Sequence, residues 1–366
     1  MTIIDIHYGE ISLKGKNKTF FESKLINDIK IRAKKLDLTY KLMKNYKSIQ
    51  IETEQISEFK KILAKTFGIR YFRIGENIER DYQTLEDELI EYFKTYDLTK
   101  TFKIVVKRAD KTYEHTSMEL AQTLGAKICT EFPTANPDLK HPEFVYHVIV
   151  NKNNFNISPI RIEGTGGLPF GSAGKAICLI SGGIDSPVAV WQMMKRGITP
   201  VLYHKYFSPE SREIGLIKKL KKIIEEYTPI ELELIMAKNN IQEQMKKHKV
   251  IPRITCILCK HLMLTDAYAE AIKHSCKAII TGDNLAQVAS QTLTNLQAQR
   301  TNIKLPILSP LIGMDKEDII IIARKIGTYD ISKINQAPCP ALPKAVETNI
   351  NLDEFTKILA DIKKLD

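Results

Sequence analysis

Ser181-Gly182-Gly183-Ile184-Asp185-Ser186 stands directly after an apolar run, Ala176 to Ile180, and directly before a helical pattern, Val188 to Met194. A glycine turn at that place bares backbone N–H groups at a helix N-terminus. The Ser181 and Ser186 hydroxyls add donors, and the whole is matched to phosphate oxygens. The segment lacks the Gly-Lys-Ser/Thr end of a Walker loop, so no lysine follows a γ-phosphate, and it lacks the spacing of a dinucleotide fingerprint. Asp185 is placed to orient the loop or a magnesium–pyrophosphate group. A second glycine turn, Thr281-Gly282-Asp283-Asn284, follows the strand-like Ala278 to Thr281. Strand C-termini of a doubly wound sheet line one crevice, so this turn is expected to face the first. Gly282 then admits a nucleotide at close range, and Gln291 offers it a hydrogen bond.

Cys256-Ile257-Leu258-Cys259 is a C-x-x-C pair, and Cys339 lies alone between two prolines. Three chemistries compete. A structural zinc ion wants four nitrogen or sulfur ligands, so His248 or His261 would have to join the three thiols. Cys256 and Cys259 also suit a cycling dithiol, and Cys339 a persulfide. Three thiolates on a 4Fe–4S cluster leave one iron without a protein ligand, open to hydrosulfide. Cys129, Cys178 and Cys276 lie apart and read as core or incidental thiols.

The elements that carry these residues follow from hydrophobic periodicity. Residues 1–66 read as a small α+β unit: strands at Ile3–Tyr8 and Ser48–Ile51, a helix carrying Phe20, Phe21, Leu25 and Ile29, and another from Ser57 to Thr66. Residues 67–165 read as a second unit, with a period-two strand from Phe102 to Arg108 and a further strand from Glu143 to Asn151. Thr116 caps a helix there that carries Leu120, Leu124 and Ile128. Residues 158–175 hold five glycines and two prolines, and a linker is placed at 166–175. From 176 to 366 strands and helices alternate: strands at Pro200–Tyr203, Glu231–Met236 and Ala278–Thr281, helices at Ile214–Tyr227, Leu262–Lys273 and Asp315–Ile326. That pattern is a doubly wound parallel sheet, class α/β.

The chain has 366 residues, 43% hydrophobic and 27% charged, which excludes a disordered or disulfide-stapled protein and leads to two or three domains. No apolar run long enough to span a membrane is present, nor a secretory leader, so a cytoplasmic protein with reduced thiols is expected. The formal net charge is +11, and a polyanion is the natural partner of such a surface. The excess is concentrated in residues 1–50, with eleven basic against five acidic side chains. Lys14 and Lys16 in a glycine-containing loop, and Lys107, Arg108 and Lys111 near a strand end, are candidate phosphate contacts.

The order of motifs is specific. Tyr8-Gly9-Glu10-Ile11 with Leu13-Lys14-Gly15-Lys16-Asn17 comes first, then Lys107-Arg108-Ala109-Asp110-Lys111, then Gly164-Thr165-Gly166-Gly167-Leu168-Pro169. The phosphate loop, Gly282 through Gln291, Pro310 through Lys316, and Ile326-Gly327-Thr328-Tyr329-Asp330 complete it. Across nearly the whole chain this resembles the tRNA 4-thiouridine synthetase (ThiI) family. The resemblance implies an N-terminal ferredoxin-like domain, a THUMP domain that engages the tRNA acceptor end, and a PP-loop ATP pyrophosphatase domain. It implies a homodimer, ATP with Mg²⁺, adenylation of O4 of uridine 8, and replacement of that oxygen by sulfur from sulfide or a persulfide donor. It also points to Leu179, Ile180, Tyr203, Lys260, Gly282 and Gln291 as lining the ATP site, and to Cys339 as the cysteine of the catalytic domain. Many bacterial members carry a C-terminal rhodanese domain, and none is expected here. Cysteines similar to Cys256, Cys259 and Cys339 occur in rhodanese-less archaeal members, which favours the cluster over zinc or a persulfide. A tRNA thiolase acting at another position is the rival enzyme, and a tRNA-binding protein with a decayed nucleotide site the rival from another class.

Overall fold

The computed structural model describes residues 2–45, 48–334 and 339–365. The chain forms two compact units, Met1–Lys18 with Ile29–Gly166, and Thr19–Asp28 with Gly167–Asp366.

The first unit is built on one eight-stranded sheet. In chain order it has β1 (Thr2–Tyr8), α1 (Lys18–Lys35), β2 (Lys41–Lys44), β3 (Ile49–Thr53), α2 (Ile56–Ala64) and β4 (Ile69–Glu79). There follow α3 (Tyr82–Thr95), β5 (Thr101–Arg108), α4 (Ser117–Glu131), β6 (Asn136–Pro137), β7 (Phe144–Val150) and β8 (Asn154–Glu163). The strands lie in the order β2-β3-β1-β4-β8-β7-β5-β6. Ile4 and Ile6 of β1 sit opposite Ile51 and Ile49 of β3 and Ile74 and Phe72 of β4, and all six are buried. That is the one-face stripe a period of two requires. In the same way β5 buries Phe102, Ile104 and Val106 with Leu89 and Phe93 of α3 and Leu120 and Leu124 of α4. Thr116 and Glu119 close a reciprocal capping box at the start of α4. β4 pairs with β1 on one side and with β8 on the other, so the boundary expected at residue 66 runs through a continuous sheet. On the face opposite Ile4 and Phe72, the His7 ring stacks on Tyr71 at 4.6 Å and the Arg161 guanidinium lies 4.1 Å from the same ring. Burial, with Arg73, Arg161 and His7 nearby, pushes His147 down to about 4.

The second unit carries a five-stranded parallel sheet ordered β11-β10-β9-β12-β13. Its elements are β9 (Lys175–Leu179), α5 (Asp185–Met194), β10 (Thr199–Tyr206), α6 (Arg212–Glu225), β11 (Leu234–Lys238), α7 (Ile241–Lys247) and α8 (Thr255–Lys273). The remainder are β12 (Ile279–Ile280), α9 (Leu293–Gln299), β13 (Ile307–Leu308), α10 (Lys316–Ile326), α11 (Tyr329–Ser332) and α12 (Leu352–Leu365). β9 is buried over Ala176, Ile177 and Cys178, as a central parallel strand covered on both faces must be. Two of the elements that exceed their expected bounds bear on the site. β10 continues past Tyr203 to Tyr206, and α8 starts at Thr255 instead of Leu262. Asp315 stands at the N-cap of α10, but its side chain makes no cap bond. Among the described residues no helix is long and apolar enough to cross a membrane.

Candidate active site

The chain leaves β9, winds through β10 and β11 to one side, and returns on the other side with β12. The loops after β9 and β12 therefore part at the point where the winding reverses, which opens a crevice at the strand ends. A cavity of about 500 Å³ lies there. Leu179, Ile180, Ser181, Gly183, Asp185 and Ser186 reach it from the first loop, and Thr281, Gly282 and Asp283 from the second. Lys260, Gln291, Cys259 and Cys339 also line it. Three expected residues of this site do not, and the first is Gly182, which is buried within its loop. Cys256 sits one turn of α8 away from the lining, and Tyr203 is 2% exposed and packed among Ile177, Leu264 and Ala267. Tyr203 alternates inward because strand neighbours point to opposite faces. Its carbonyl only accepts the Ile180 N–H, at 2.9 Å. The polar end of β10, His204 and Lys205, lines the cavity in its place.

The phosphate loop braces itself. The Ser181 N–H donates to Ser186 Oγ at 2.8 Å, and Ser186 Oγ donates back to the Ser181 carbonyl at 3.2 Å. Ser186 Oγ also lies 3.1 Å from Ser181 Oγ, so the two hydroxyls of the loop are linked at the cavity wall. Ile184, at the N-cap of α5, makes no side-chain cap bond, so the first-turn amides stay available to an anion. Asp185 joins three segments: Lys316 Nζ lies 2.6 Å from Oδ1, and Gln287 Nε2 donates to Oδ2 at 3.0 Å. Gly282 lines the cavity, and its lack of a side chain has a second effect. A Cβ there would come within 2.9 Å of Ser186 Cα and 3.0 Å of its nitrogen. The missing side chain is what lets the two loops touch.

Behind Gly282 lies a charged cluster. Asp283 is 3.4 Å from Lys260 Nζ and 3.5 Å from an Arg300 nitrogen, and Thr281 donates to it at 2.8 Å. Burial opposes its ionisation, but Lys260, Thr281, Arg300 and Gln291 together hold the carboxyl below its ordinary value. Lys205, almost fully buried, is paired with Asp266 of α8. His204 Nδ1 lies 2.9 Å from the Ile180 carbonyl.

Cys256 and Cys259 occupy the first turns of α8, three residues apart and so on neighbouring positions of one face. Burial raises both thiols, and each is raised further by the charge of Cys339, Cys256 also by Cys259. Asn239 Nδ2 donates to Cys259 Sγ at 3.4 Å. His261 is 5% exposed, lies 3.2 Å from the Gln299 carbonyl and meets Phe355 edge-on, so it is a core residue rather than a ligand. His248 lines a separate cavity with Glu354 and Asp361. Among the described residues no three His, Cys, Asp or Glu side chains converge closely enough to hold a metal ion.

In the first unit Lys16, Lys107 and Lys111 are exposed. Lys14 sits 3.7 Å from Glu10. Arg108 donates to the carbonyls of Tyr113 at 3.0 Å and His115 at 3.1 Å, so it shapes the loop that presents Lys111. His204, Lys205, Asp283, Gln287 and Lys316 were absent from the expected site. For Lys316 a signal existed, because it closes the motif that begins at Pro310; for the others the sequence carries only polar residues near strand ends.

Comparison with known proteins places these features in company. The thiamine biosynthesis protein (ThiI) family matches residues 171–363, the ThiI ferredoxin-like domain residues 3–72, and the THUMP domain residues 79–158. A probable tRNA sulfurtransferase of Methanocaldococcus jannaschii is 37% identical, over 98% of this chain and 96% of that one. Another, from Caldanaerobacter subterraneus subsp. tengcongensis, is 34% identical over 100% of this chain and 95% of its own. A crystal structure of a 4-thiouridine synthetase–RNA complex with bound ATP superimposes with a TM-score of 0.88 at 30% identity, covering 100% of this chain and 95% of that one.

Proposed function

This chain belongs to the ThiI family, and from that premise we propose that it is an ATP-dependent tRNA sulfurtransferase that converts uridine 8 to 4-thiouridine. The observation that carries the reading is one cavity lined both by the anion loop and by two thiols, Cys259 and Cys339. Activation and sulfur delivery then share a chamber. The similar protein solved with RNA and ATP supports both ligands.

The chemistry follows from a poor leaving group. Uridine C4 resists sulfur because its oxygen departs badly. ATP binds with its phosphates on the N–H groups of Gly182, Gly183 and the first turn of α5, and on the Ser181 hydroxyl. Leu179, Ile180, Lys260, Gln291 and the His204–Lys205 strand end enclose the rest of the nucleotide. O4 attacks the α-phosphorus, an O–P bond forms, and pyrophosphate leaves. Sulfur then adds to C4, the C4–O bond breaks, and AMP takes the electron pair. Asp185, held by Lys316 and Gln287, is the carboxylate positioned for Mg²⁺, which offsets phosphate charge when bound with ATP. Extruding the base costs a few kcal/mol, offset by phosphate contacts from Lys14, Lys16, Lys107 and Lys111.

For the sulfur source, the donor set is three thiols, Cys259 and Cys339 on one cavity and Cys256 one helix turn from Cys259, not closed to the spacing of a single metal ion. Zinc holds four ligands at about 2.1–2.3 Å, and neither His248 nor His261 supplies the fourth. A 4Fe–4S cluster on Cys256, Cys259 and Cys339 suits ligands spread around a larger body, and it would supply hydrosulfide at the iron no protein group binds. The exposure of Cys339 on the same cavity supports a second reading, in which its persulfide carries the sulfur. In that case a second cysteine thiol breaks the sulfur–sulfur bond after transfer, and the resulting disulfide needs an external reductant.

The test is direct. Purified protein given ATP, magnesium, sulfide and unmodified tRNA should release AMP and yield 4-thiouridine at position 8, read by mass analysis of the digested tRNA. No sulfur-bearing base overturns the reading, and thiolation elsewhere favours a thiolase of another position. Anaerobically reconstituted protein should absorb broadly near ~400 nm, as iron–thiolate ligation does, and Cys256→Ala should bleach it. Colourless protein holding stoichiometric zinc overturns the cluster.

A further inference from the structure

Asn239 follows β11 and is 9% exposed. Three bonds fix it. Its N–H donates to the Tyr206 carbonyl at 2.7 Å, which extends the pairing of β10 and β11 by one residue. Its Oδ1 accepts the Ile241 N–H at 3.0 Å, at the start of α7. Its Nδ2 donates to Cys259 Sγ at 3.4 Å. The second bond decides the direction of the third. A flipped amide would set NH₂ against the Ile241 N–H, donor against donor, and turn its oxygen toward the sulfur. The backbone therefore holds the amide N–H end on Cys259. Among the described residues it is the one side-chain donor that reaches any of the three sulfurs of the site.

We infer that Asn239 is a positioning residue for the sulfur centre, a fixed N–H···S donor that orients Cys259 and draws off part of the negative charge of its thiolate. The inference rests on the reading of Cys256, Cys259 and Cys339 as cluster ligands. Hydrogen bonds to ligand sulfurs raise a cluster's reduction potential, because the reduced form carries more charge on sulfur. Lys205 and Lys260 also act on Cys259 through space, but neither is bonded to its sulfur. The directional part belongs to the amide.

The test uses full-length protein, reconstituted anaerobically with iron and sulfide, and measures the cluster's midpoint potential by voltammetry. Asn239→Ala removes the donor without adding charge. It should make one-electron reduction about tenfold less favourable, a shift of about 59 mV to lower potential. Asn239→Asp keeps an acceptor for the Ile241 N–H, so α7 still starts correctly, and it should shift the potential further in the same direction. A role confined to starting α7 would leave the Ala variant, once iron-replete, at the wild-type potential. Iron-replete variants that keep that potential overturn the assignment and leave the cluster reading intact. Wild-type protein that takes up no iron overturns both.

Discussion

At the scale of single residues, the site depends on interactions that leave little slack. Asp185, in the anion loop, binds Lys316 and Gln287. Asp185→Ala should abolish thiolation while tRNA affinity, measured by filter binding, changes little; equal loss of both would contradict its assigned role. Gly282→Ala forces a methyl against the backbone of Ser186, and overpacking of this kind costs roughly 1–3 kcal/mol. The variant should unfold at lower denaturant and lose ATP binding more than it loses tRNA binding. Asp283 balances Lys260 and Arg300, and removing one partner of a buried group of charges costs about 3–5 kcal/mol. The pH dependence has a definite sign. Because the folded carboxyl titrates below its unfolded value of about 3.9, its contribution is complete above that value and is lost as pH falls through the lowered one. Wild type and Asp283→Asn should therefore differ in stability at pH 7 and converge in strong acid.

At the scale of elements, the sequence shows some boundaries and hides others for physical reasons. The apolar run of β9, the glycine turns after β9 and β12 and the cap of α4 are local signals, and all appear where local rules put them. The end of β10 is not local. Residues 204–206 read as polar, and Lys205 is kept inside by Asp266, 61 positions later. The start of α8 gives no signal either, because its N-cap is Ile254 and no side chain caps it. That shift of seven residues brings the C-x-x-C pair, which lies before the expected helix start, onto the first turns of α8. Gly282 was legible as a glycine that something must approach, but the approaching group is Ser186, which only the packed pair of loops reveals. Two element-level outcomes can be measured. Thr116→Ala opens the capping box of α4 and should cost about 1 kcal/mol in chemical denaturation. His147, neutral in the sheet down to about pH 4, is protonated in the unfolded chain below about 6.5. The first unit should lose stability as pH falls from about 6.5 to about 4, and His147→Gln should flatten that slope.

At the scale of the whole molecule, the proposed function asks for cations that meet an RNA backbone. On that proposal Lys107→Ala and Lys111→Ala each take away one cation that would neutralise an RNA phosphate. Each should lower the slope of log affinity against log salt by roughly 0.7–0.9, with little change in the rate at saturating tRNA. The homodimer that the family resemblance implies carries its own test. If the acceptor end held by one subunit is modified by the other, mixing Asp185→Ala protein with a Lys107→Ala, Lys111→Ala variant should restore activity that neither shows alone. The shared strand β4 has a consequence for folding. A fragment ending near residue 66 would leave the open backbone of β1 without its neighbour, and such bare edges invite sticking between chains. A fragment cut beyond Glu163 keeps β4 between β1 and β8, so it should be recovered as soluble protein where the shorter one aggregates.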